Sequence, residues 1–108
     1  METKGIKQIE LLGQKIKVRY IEDLKDEEGN ELDGQYHPNL DIIDLNVLNI
    51  KETKQFFKRV LLHEAFHAFV EIAQVQLSAK EEERLCQLFE RVFFDFQRIS
   101  RRIDRIKD

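Results

Sequence analysis

A single cysteine, Cys86, closes off two ways of holding a small protein together. No internal disulfide can form, and no zinc site can be built from cysteines alone. Long apolar runs are missing as well. No segment approaches the roughly 18 apolar residues of a membrane span, and the opening stretch METKGIKQIELLGQ lacks an apolar h-region. A cytoplasmic location without a membrane partner is the expectation. Excess positive charge is also lacking. The formal net charge is −3, which argues against a dedicated nucleic-acid binder. No internal repeat and no low-complexity tract interrupts the chain.

What is present suits one domain spanning residues 1–108 around one core. Hydrophobic residues make up 42% and charged residues 36% of the 108, a globular balance. The eight Phe residues fall between Phe56 and Phe96, and the core is expected there. Residues 22–33 (EDLKDEEGNELD) are acidic and the tail RISRRIDRIKD is basic; they read as a solvated loop and a solvated helix face.

The first forty-five residues read as three or four strands. Ile6 to Leu12 alternates loosely, and Leu12-Gly13-Gln14 has the look of a hairpin turn. Lys15 to Ile21 alternates cleanly, with Ile16, Val18 and Tyr20 on one face and Lys15, Lys17 and Arg19 on the other. A short segment at Gln35-Tyr36 and a strand over Leu40–Leu45 follow. From about Lys51 the period becomes helical. Phe56, Val60, His63, His67 and Val70 form one stripe; Leu62, Phe66, Phe69 and Ala73 form another. The second half of this helix is apolar almost all round and is expected to be buried. A second helix starts at Ser78, where Ser78-Ala79-Lys80-Glu81 matches a capping box. Leu85, Phe89, Val92 and Phe96 are its expected inward stripe, with a polar, frayed end towards Ile106. The fold class is α+β: a small N-terminal sheet, then two long helices packed on it.

The chemistry is concentrated in His63-Glu64-Ala65-Phe66-His67. Two His at i and i+4 lie one above the other on a helix, so two imidazole nitrogens can converge on one Zn²⁺. Glu64 points about a quarter-turn away, where it can act as general base on zinc-bound water. The alternative is two hydrogen-bonded core histidines beside an exposed Glu. Each His would then need its own partner, which is less economical than one shared metal. A catalytic zinc needs a third protein ligand. Glu71 lies about 12 Å along the axis from His63, too far to share one ion easily. Among Glu81, Glu82 and Glu83, helical phase favours Glu82. Glu81 serves the cap, Glu83 turns away from the Leu85/Phe89 stripe, and Glu82 extends that stripe. His37 is a further candidate, although beside Pro38-Asn39 it suits a turn. Tyr36 is a candidate oxyanion donor if its loop folds over the site. Cys86 reads as an inert core thiol.

These residues carry a resemblance. KQIELLGQKIKVRYIEDL, then LDIIDL, LLHEAFHAF and EERLCQLF resemble, in that order, the small HExxH metallopeptidases of phages and prophages, ImmA/IrrE-like minimal gluzincins. The family's third zinc ligand, a Glu in an ExxAxxFA-type stretch, falls on Glu82. Leu85 and Phe89 depart from the small residues of that pattern. The resemblance implies a minimal zincin-like fold, a Zn²⁺ cofactor and a protein or peptide substrate. The leading expectation is a zinc peptidase with ligands His63, His67 and Glu82 and with Glu64 as base. The second is a non-catalytic regulatory module of the same fold that binds a protein partner in phage regulation or anti-defence. A third is a helical interaction module without metal.

Overall fold

A computed structural model describes residues 6–106; the first five residues of the N-terminal stretch and the last two of the basic tail lie outside the described residues. β1 (Gln8–Leu11) and β2 (Gln14–Ile21) form the expected hairpin. Its two turn residues, Leu12 and Gly13, have φ of 51° and 81°. Both positions of such a tight turn need positive φ, which Gly13 supplies without steric cost. In β2 the alternation holds: Ile16 and Val18 are buried, while Lys15, Lys17 and Arg19 are exposed.

β3 (Gly34–His37) and β4 (Ile42–Asn46) complete a sheet of order β1-β2-β4-β3. β2 and β4 are parallel and the other pairs antiparallel. β3 is therefore an edge strand, hydrogen-bonded on one side. β4 begins two residues later than Leu40. Asn39 and Asp41, at φ of 71° and 55°, hold the preceding residues in a left-handed turn and leave Leu40 exposed.

Three helices follow. α1 (Val47–Ile50) is a single turn capped by Asn46. α2 (Lys54–Ile72) starts after Thr53, whose side chain accepts from the Phe56 amide. α3 (Ala79–Asp104) opens with the expected capping box, both of its bonds formed by Ser78 and Glu81. The basic end of α3 is helical to Asp104, with Arg105 as its C-cap. No helix among the described residues is long and apolar enough to cross a membrane.

The core differs from the Phe-rich one expected. Its fully buried members are small and aliphatic: Ile16, Val18, Ile43, Leu45, Ile50, Val60 and Ala68. They join one face of the sheet to α2. Phe56 and Phe57 flank this core, and Phe66, Phe69, Phe89 and Phe93 line an apolar groove of about 350 Å³. The second half of α2 is buried on one side only, with Phe69 partly exposed.

α3 packs chiefly on α2 rather than on the sheet. Its phase also differs from expectation. Leu85 and Phe96 are exposed, and Cys86 is its one fully buried residue among those described. The inward face runs through Glu83, Cys86, Glu90 and Phe93, about 100°, or one residue, around the helix from the Leu85/Val92/Phe96 line.

Candidate metal centre

α2 carries His63 and His67 in adjacent turns, both half-buried with 23% and 20% of their side chains exposed. Their Nε2 atoms face each other at 3.3 Å. Each ring is held from behind by α3: His63 Nδ1 is 2.9 Å from Glu90 Oε1, and His67 Nδ1 is 2.5 Å from Glu82 Oε2. A carboxylate only accepts, so each Nδ1 donates, and a ring with no second proton then presents an Nε2 lone pair to the centre. Glu83 closes the constellation. Its Oε1 is 3.2 Å from His63 Nε2 and its Oε2 is 3.2 Å from His67 Nε2.

The arrangement fits a metal. Two nitrogens about 2.0–2.1 Å from a tetrahedral zinc stand about 3.3–3.4 Å apart, close to the separations found here. With both Nε2 atoms unprotonated, two lone pairs and two carboxylate oxygens meet at one point, and one cation would satisfy all four. Carboxylates on the far nitrogens are the usual support for a metal-bound imidazole.

Cys86 also comes near. The ligand atoms of His63, His67 and Cys86 lie within 4.8 Å of one another. Its Sγ, however, donates to the His63 carbonyl at 3.3 Å. Burial, helped by Glu83 and Glu90, pushes the thiol up to about 12. The neutral thiol suits a packed, hydrogen-bonded role better than that of an anionic ligand.

Glu64 is buried, more so than either His. Burial raises its carboxyl above the ordinary range, against the pull of His63 and His67. It lies under β3, where a Cβ on Gly34 would come within 3.0 Å of Glu64 Cγ and 2.9 Å of Val60 Cγ1. Only glycine allows the edge strand so close to α2. Two clefts of about 270 and 380 Å³ share Gly34 and Glu64. The first adds His63 and Arg59; the second adds His67, Glu82 and Tyr36.

Of the residues singled out by sequence, the structure brings His63, Glu64, His67 and Glu82 together. Glu82 stands behind His67, and Glu83 occupies the place opposite the Nε2 pair for which Glu82 was expected. Glu81 caps α3 as expected. Glu71 accepts from the Asn39 amide at 3.0 Å. His37 is not near the pair: its Nε2 is 2.7 Å from Asp44, which also holds Arg19, on the sheet face away from α2. Tyr36 packs against the core, and its buried hydroxyl has no hydrogen-bond partner among the described residues. Burial, then the charge of Glu71, pushes that hydroxyl up to about 12. Sequence reasoning missed Glu90 and set Glu83 aside. Their signal was the spacing Glu83, Cys86, Glu90, Phe93, a second helical stripe partly hidden by the more apolar one beside it. No protein-family model, curated protein or solved structure matches the chain.

Proposed function

We propose that the chain is a zinc-dependent peptidase of the gluzincin type, with His63, His67 and Glu83 as metal ligands. The observation that carries this reading is the Nε2 pair at 3.3 Å facing one carboxylate, each imidazole held from behind by another. Glu83 replaces Glu82 as third ligand, and Glu82 becomes the residue that orients His67. When bound, zinc supplies Lewis acidity, polarising a carbonyl oxygen and bringing the ionisation of water to about pH 7.

The remaining work falls to the chain. Glu64 adjoins His63 and lines both clefts, so it is placed to take the proton of an attacking water. The same carboxyl then returns that proton to the amine as the peptide C–N bond breaks. Its burial favours the protonated form and so helps the return. The free edge of β3 offers a peptide main-chain hydrogen bonds by strand addition. Gly34 keeps that edge within reach of Glu64.

Metal analysis and one substitution test the reading. Protein purified without added metal and titrated with zinc should bind about one ion per chain. Glu64→Gln should keep that ion and lose cleavage of a peptide library. Failure to bind any divalent ion removes the metal reading. Metal bound by a wild type that cleaves no library peptide favours the non-catalytic partner-binding module.

A further inference from the structure

α3 carries its most regular apolar pattern on a side that its own chain barely covers. Phe89, Val92, Phe96, Ile99, Ile103 and Ile106 follow one another at spacings of three, four, three, four and three. That is an unbroken heptad seam, with Phe89, Phe96 and Ile103 at a and Val92, Ile99 and Ile106 at d. Phe89 stacks on Phe66 within the chain, at a centroid distance of 5.2 Å. Phe96, Ile99, Ile103 and Ile106 are each more than half exposed, and every residue from Arg98 to Ile106 is exposed. A helix of 26 residues is about 39 Å long, against about 28 Å for the 19 of α2, so among the described residues its end extends past α2 and is exposed. An unsupported helical segment of that length is marginal in water.

We infer that this seam joins two copies of the chain through an antiparallel α3–α3 coiled coil. The seam is self-complementary in that direction. An antiparallel pair sets a against d, and one two-fold axis near Gln97-Arg98 matches all six residues. Phe96 then meets Ile99 of the second copy, Val92 meets its Ile103, and Phe89 meets its Ile106. Charge selects the same arrangement. Asp95 and Arg102 occupy the g positions beside the seam, and g faces g in an antiparallel pair, so each Asp95 meets an Arg102 of the second copy. A parallel pair would set Asp95 against Ser100. Asp95 also engages Arg98 on its own helix, which leaves its second oxygen for the partner. Of the outer positions, Glu90, Arg91, Gln97, Arg98, Arg101, Asp104 and Arg105 are polar and Phe94 alone is apolar. So narrow a seam suits a coiled coil better than the broad apolar face with which a helix lies on lipid.

The test is sedimentation equilibrium of the full chain, for which a dimer has twice the 13.0 kDa chain mass. The wild type should be dimeric at micromolar concentration. Ile103→Glu should weaken the dimer at least tenfold while zinc content stays unchanged and circular dichroism loses at most the helicity of the last turns of α3. Asp95→Arg alone should also weaken it, and Asp95→Arg with Arg102→Asp should restore it, since only the antiparallel pairing reunites those charges. A wild type still monomeric at about 100 µM overturns the inference. So does an unchanged mass in Ile103→Glu, a double charge variant no better than the single one, or a monomer that binds anionic vesicles through this seam.

Discussion

Replacing Glu83 with Gln tests the third-ligand assignment most directly. Its two oxygens lie 3.2 Å from the two Nε2 atoms, where one cation would touch all three side chains. Structural zinc sites are worth about 10–16 kcal/mol, so one of four ligands accounts for roughly 3–4 kcal/mol, or about 10²–10³ in affinity. Glu83 is about half exposed, with 47% of its side chain open, so water can take its place. The lower end, about a hundredfold, is the expected loss. Glu82→Gln keeps an amide oxygen to accept from His67 Nδ1 and should cost less than about tenfold; Glu82→Ala and Glu90→Ala remove the orienting acceptor and should cost about 10–100-fold. Glu81→Ala should leave zinc in place and cost about 1 kcal/mol of helix stability through the lost cap. The assay is competition with a chromophoric chelator for the five variants side by side. If Glu82→Gln loses as much zinc as Glu83→Gln, the ligand assignment is wrong, and if neither loses any, the third ligand is on another element.

Cys86→Ala should leave zinc affinity within about threefold and lower stability by about 1–2 kcal/mol, through a small cavity and the loss of a second, weak hydrogen bond to the His63 carbonyl; release of the metal would identify the sulfur as a ligand. Gly34→Ala forces a Cβ to 2.9 Å from Val60 and 3.3 Å from the Asp44 carbonyl oxygen, so β3 or Glu64 must move. A loss of about 1–3 kcal/mol in urea unfolding, with zinc retained and peptide cleavage reduced, is the expected result; unchanged cleavage would separate β3 from the reaction. Asp44→Asn removes a buried acceptor from Arg19 and His37 and should cost about 1–2 kcal/mol at pH 7, a figure reduced for the partial exposure of Arg19. Burial opposes the charge on Asp44, but Arg19 and His37 outweigh it and hold the carboxyl below its ordinary value. That stability is present above the unfolded pKa of about 3.9 and is lost as pH falls through the folded value, so the two proteins should converge in strongly acid solution. A difference that persists there would assign the cost to shape rather than charge.

Much of this protein is local and therefore legible in one dimension. The β1–β2 hairpin follows from Leu12-Gly13 and the alternation of β2. The start of α3 follows from Ser78 and Glu81, three residues apart in sequence and bonded to each other. The approach of His63 to His67 follows from helix geometry alone, because i and i+4 share a face whatever surrounds them. The order of the sheet was not legible. The parallel β2–β4 pair is set by how residues 22–41 cross and return, and no short-range pattern encodes that. Nor was the closeness of β3 to Glu64, which depends on the missing side chain of Gly34 meeting a helix thirty residues on. The carboxylate that faces the Nε2 pair is not the one that helical phase selected, for a related reason. Hydrophobic periodicity tells which side of a helix is apolar, not what lies opposite. The apolar seam of α3 was assumed to face α2, which selected Glu82. Packing turns that seam aside by about 100° and presents Glu83, Cys86 and Glu90 instead, because α2 is met by the stripe that supplies acceptors to its two imidazoles.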